Sequence, residues 1–220
     1  MDNVKVKLAD NTLDILFTES LPLEAKNLVI DGLCVFLDNY KLSKHNDGDL
    51  RLANKLCRYL KNAVYGSDQM KQLLYRSSLS LDDIFVPDET TRFITENIST
   101  GSTEKVLAFL ELIEARELLD ANITKFLVQL LAELDNDRVK VAIIELLDDN
   151  SKNTDVINVL EKCIKSKDTK VVQAAIYALA SVINTKESRA AARQLIDDEK
   201  DFDRLKILAL GLIRTEEEES

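Results

Sequence analysis

Three stretches of ten residues decide the fold: RVKVAIIELL at 138–147, KVVQAAIYAL at 170–179 and RLKILALGLI at 204–213. They begin 32 and 34 residues apart, a spacing at which stacked helical units recur. A basic residue opens each. Val139, Val171 and Leu205 stand next; Ala142, Ala174 and Leu208 hold a second column, and Leu146, Ala178 and Leu212 a third. Spacings of three and four residues bring these columns to one side of a helix, so each stretch predicts a helix that buries that side against a neighbour.

Outward from these blocks the same unit repeats. Each is preceded by another apolar-periodic segment, at 123–134, 156–164 and 189–196, with an Asp-bearing turn between the two. A looser copy upstream pairs 90–98 with 104–113 about Gly101. The best copy, Asp155 to Val182, carries Asp168, Val171, Ala174, Ala175 and Leu179. On these residues the segment of about 88–214 resembles the HEAT repeat family, which is similar in its helical pair, Asp-containing turn and second helix opening on Val beside a basic residue. Two departures stand out. The basic residue after the Val column is present as Lys140 and Lys206 but is Val172 in the middle copy, and the turn aspartate shifts from Asp137 to Asp168 to Asp203. The Asp–Arg ladder that the resemblance implies is therefore expected to be incomplete.

The fold class expected is all-α: an α-solenoid of about four HEAT-like hairpins at 88–214, an N-terminal helical cap or subdomain at 1–87, and an acidic, disordered tail at 215–220. Five Gly and two Pro supply too little turn chemistry for the many hairpins of a sandwich or barrel. Within 1–87, Leu23 to Tyr40 has helical periodicity with Pro22 at its start. Leu52, Leu56, Leu60 and Val64 form a second line closed by Gly66, and Ser67 to Arg76 a third, shorter helix. Ser80 and Asp83 resemble a capping box whose single turn Pro87 stops. Residues 4–17 read either as a short hairpin, from the alternation of Val4, Val6 and Leu8 with lysines, or as helical over Thr12 to Thr18.

Charge sorts the chain. Of its net −10 charge, residues 1–87 hold −1 and residues 88–220 hold −9. Phosphate recognition needs clustered cations, so an acidic repeat region argues against nucleic acid as the ligand. The three cysteines, Cys34, Cys57 and Cys163, form neither a disulfide framework nor a metal knuckle and fall on apolar helical stripes. No signal-like run opens the chain and no apolar run reaches spanning length, so a cytoplasmic protein without membrane contact is expected.

Enzyme chemistry has no foothold. His45 is the single histidine, read with Asp47 and Asp49 as solvated loop residues, and no phosphate-cradling Gly loop or nucleophile elbow occurs. No metal, cofactor or catalytic residue is expected. On the helical wheel, the faces opposite the core carry Arg138, Val141 and Glu145, then Lys170, Gln173 and Tyr177, then Arg204 and Ile207 with Gly211. Stacking turns these into rows, one of them basic and one partly apolar. That surface suits an acidic or amphipathic protein or peptide segment, and the resemblance implies that second helices line the inner face where partners dock.

The chain also resembles the short HEAT-like proteins related to phycobilin lyases, which would imply tetrapyrrole handling; a HEAT-like DNA-repair glycosylase is the third reading. Tetrapyrrole handling requires a polar or nucleophilic pocket that nothing in the sequence marks. The glycosylase requires a basic face interleaved with aromatics, against which stand the absence of Trp and an aromatic content of 5%. A protein-binding scaffold is the first expectation. The last block is apolar nearly all round at Leu205, Ile207, Leu208, Leu210, Leu212 and Ile213, so self-association through the C-terminal repeat is a further one.

Overall fold

In a computed structural model of the chain, the residues described are 2–17, 21–85, 87–148, 153–179, 189–190 and 192–193. They form α1 (Asp2–Leu16), α2 (Leu23–Asn39), α3 (Asp47–Asn62), α4 (Asp68–Leu81), α5 (Pro87–Thr100), α6 (Thr103–Ala115), α7 (Ala121–Glu133), α8 (Asp137–Leu147), α9 (Thr154–Cys163) and α10 (Thr169–Leu179), with no strand among them. The chain divides into two compact units, Met1–Ala115 and Arg116–Ser220.

In the first unit α1 packs on α2 and α3, α2 on α4, α3 on α4, α4 on α6 and α5 on α6. Neighbours in sequence make the hairpins, and helices two apart stack, which is the α-solenoid arrangement. The N-terminal region is thus built from stacked hairpins of its own. The α5–α6 pair, expected as the first repeat of a segment beginning at 88, folds within this unit. Leu13, Leu33, Leu52, Leu60, Leu73, Phe109 and Ile113 are each no more than 2% exposed and fill its centre. Ion pairs join successive second helices: Arg76 on α4 to Asp38 on α2 at 3.0 Å, and Lys71 on α4 to Glu111 on α6 at 2.8 Å.

Four local readings are corrected here. Residues 4–17 form no hairpin, because α1 turns Val6, Ala9, Leu13 and Leu16 inward, each at most 4% exposed. Alternation with lysine mimicked a strand only over the first turns. Pro87 opens α5 instead of stopping a turn, its fixed φ and missing N–H suiting a first helical position. Ser80 lies inside α4, which runs to Leu81. Helix α3 ends at Asn62, with Ala63 extended as its cap, so Gly66 caps nothing.

The second unit packs α7 on α8 and α9, α8 on α10, and α9 on α10. Its helices start on side-chain caps that satisfy the first backbone N–H groups. The Asp120 side chain accepts from the Ile123 amide at 2.7 Å, Asn136 from Val139 at 3.2 Å, and Asp168 from Lys170 at 2.8 Å and Val171 at 3.1 Å. The capping position therefore stands three residues before the Val column in both copies, as Asn136 and Asp168. The aspartate that looked displaced, Asp137, is instead the first residue of α8.

Candidate functional site: the exposed face of the second helices

Helices α8 and α10 lie side by side, and four equivalent positions are buried in both. Val139, Ile143, Ile144 and Leu147 face inward on α8, as Val171, Ala175, Ile176 and Leu179 do on α10, none more than 2% exposed. Of the columns expected from the sequence, only that of Val139 and Val171 is fully buried in both helices; Ala142, Ala174 and Leu146 are half-buried, and the residues one position further on, Ile143 and Ala175 and then Leu147 and Leu179, hold the stack instead. The opposite arc carries the residues expected from the wheel: Arg138 and Glu145 are exposed and Val141 half-buried on α8, while Lys170 and Gln173 are exposed and Tyr177 half-buried on α10. Six of the eight predicted site residues thus share one face of two neighbouring helices. Arg204 and Ile207 lie outside the described residues, as does the C-terminal helix expected to self-associate.

The face combines two cations at matching first-turn positions with partly apolar surface further along the same arcs. Arg138 and Lys170 project from the helix starts, and Val141 and Tyr177 keep part of their area in reach of solvent. Such a surface can neutralise carboxylates and take an aliphatic or aromatic side chain alongside them.

A second concavity went unread in the sequence. Between α7 and α9 runs an open groove of about 700 Å³, lined among others by Thr124, Lys125, Val128, Gln129, Asn158 and Lys162. It lies between first helices of the hairpins. Lys125, exposed on α7, and Lys162, exposed in the last turn of α9, were its only sequence signal, and single exposed cations also serve helices that bind nothing.

Elsewhere the structure removes chemical candidates. Asp49, read as solvated, is 1% exposed. Its carboxylate accepts from the Ser43 amide at 2.9 Å and from the Tyr40 hydroxyl at 3.2 Å, pinning the 40–46 loop to α3. His45 is exposed, and no group of three or more His, Cys, Asp or Glu side chains among the described residues could hold a metal ion. Burial pushes the thiols of Cys57, up to about 12, and Cys34, up to about 11, away from the reactive range; Asp31 and Asp38 add to the effect at Cys34. No helix among the described residues is long and apolar enough to cross a membrane.

Comparison with known proteins agrees with the architecture. The family model for HEAT repeats matches residues 124–213, which span α8, α9 and α10 and the face they carry. No curated protein matches the chain.

Proposed function

Because the chain belongs, over residues 124–213, to the HEAT-repeat family, whose members generally serve as protein-interaction and scaffold modules, we propose that it is a non-enzymatic binding module. It takes an acidic or amphipathic peptide segment of a protein partner on the second-helix face. The observation that carries this reading is that the neighbouring helices α8 and α10 carry Arg138 and Lys170 at matching first-turn positions, with Val141 and Tyr177 half-buried on the same outward arcs. Paired cations beside partly buried apolar side chains favour a carboxylate-bearing helix or strand over a phosphate backbone, which would demand a longer cationic track. In this reading Glu145 and Gln173 set polar limits to the site.

Selection of a displayed random-peptide library on the full chain tests the proposal. Enriched peptides should carry Asp or Glu beside Leu, Phe or Ile, and their binding should be lost in the folded Arg138→Glu/Lys170→Glu variant. Enrichment of basic sequences, or binding indifferent to that variant, would refute it.

A further inference from the structure

Helix α1 buries Val6, Ala9, Leu13 and Leu16 at no more than 4% exposure, yet Val4, Leu8 and Ile15 stand 72%, 67% and 46% exposed. At 3.6 residues per turn these three fall within an arc of about 40°, centred roughly 150° from the core-facing residues. The helix therefore has two apolar sides, of which its own unit covers one. A stripe of large aliphatic side chains directed away from the core is the pattern of a helix that meets a partner.

We propose that this stripe is a self-association surface, on which α1 pairs antiparallel with α1 of a second copy of the chain about a two-fold axis. The charges select the occupant. Lys7, which makes no ion pair with a described residue, and Asp14, whose side chain is 63% exposed, flank the stripe on the same edge. A two-fold axis perpendicular to antiparallel helices keeps each edge against its own counterpart while reversing direction. Val4 then meets Ile15 of the second copy, Leu8 meets Asn11, and Lys7 meets Asp14, the last two about 3 Å apart along the axis at a rise of 1.5 Å per residue. Each contact occurs twice, as an isologous interface requires.

Parallel pairing about a two-fold axis would instead set this edge against the opposite edge of the second copy, and would bring no Lys7 to an Asp14. Lys55 already fixes the Asp14 carboxylate at 2.6 Å, and a carboxylate accepts more than one donor. The area is small against the roughly 800 Å² per partner of a standard interface, so the association is weak and concentration-dependent. It uses residues of the first unit only, whereas the proposed peptide face lies on the second.

Sedimentation equilibrium of the full chain over a dilution series tests the pairing. The weight-average mass should rise from one chain toward two with concentration. Lys7→Asp and Asp14→Lys should each weaken association at least about tenfold, and the double swap Lys7→Asp/Asp14→Lys should restore it. Leu8→Glu should abolish it, with circular dichroism confirming that every variant is folded. If Asp14→Lys fails to fold through loss of Lys55, Lys7→Asp and Leu8→Glu still decide. A monomer at all concentrations, a dimer indifferent to Leu8→Glu or to Lys7→Asp, a folded double swap that fails to restore association, or a dimer lost instead in Ile207→Glu and Leu210→Glu would overturn the proposal.

Discussion

The buried ammonium of Lys105 donates to the backbone carbonyl oxygen of Lys61, joining α6 to the last turn of α3. Carbonyls in a last turn lack a partner within their own helix, and a cation there also meets the negative end of the helix dipole. Burial, and then the charge of Lys61, lower the Lys105 pKa. Its Nζ stands 5.8 Å from the centre of the Tyr65 ring.

From that contact, Lys105→Ala should destabilise the protein by about 2–4 kcal/mol, combining lost packing of the aliphatic stem with an unpaired buried carbonyl. Lys105→Met, which keeps the stem, should recover part of the loss. Urea unfolding midpoints of the three proteins check both.

Ala174 and Ala175 both belong to the pattern on which the repeat was read. The structure separates them: Ala175 is 0% exposed and Ala174 half-buried. Ala175→Leu should cost about 1–3 kcal/mol by overpacking, and Ala174→Leu much less. Equal losses of melting temperature would place the stacking contact on the wrong arc of α10.

Stability should fall at alkaline pH. The thiols of Cys34 and Cys57 titrate near 11 and 12 in the fold, against 9.0 in an unfolded chain. Their contribution is therefore complete below pH 9 and is lost as pH rises through those folded values. Burial raises Cys163, Tyr59 and Tyr65 in the same direction. Lys105 works oppositely, since its lowered pKa adds stability as pH approaches 10.5, but it is one group against five. Melting temperatures from pH 8 to 11 should decline, less steeply in Cys57→Ala.

How much of this was legible depended on whether a residue's role is local. The repeats were readable because Val139 and Val171 recur in register with inward neighbours at helical spacing. The site face followed from the same wheel, since whatever opposes Ile143 or Ala175 must face away from the core. Residues 4–17 misled because α1 is apolar on two sides, and Val4 and Leu8 outside the core blur the period set by Val6, Ala9 and Leu13. Pro87 was ambiguous because proline suits a helix start as well as it prevents a continuation. Asp49 looked solvated because nothing in its neighbourhood announces that Tyr40 and the Ser43 amide fold over it. The α7–α9 groove had no sequence signature, since the gap between two helices depends on side chains taken jointly.

Asp49→Ala should be correspondingly costly. It removes the acceptor of the Ser43 amide and of the Tyr40 hydroxyl at a part-buried site, a loss of about 1–3 kcal/mol. Thermal unfolding reports the cost, and proteolysis at Lys41 or Lys44 should accelerate as the loop is released.

The central claim is that a partner segment docks on the outward arc of α8 and α10, and hydrogen exchange tests it most directly. Amide exchange of the full chain is followed by mass spectrometry with and without an acidic peptide selected from the library. Slowed exchange should concentrate in peptides covering Arg138–Glu145 and Lys170–Tyr177 and vanish in Arg138→Glu/Lys170→Glu, with α1 unchanged. Protection confined to α7 and α9, around Lys125 and Lys162, would contradict the account and move the binding site to the opposite layer of the hairpins.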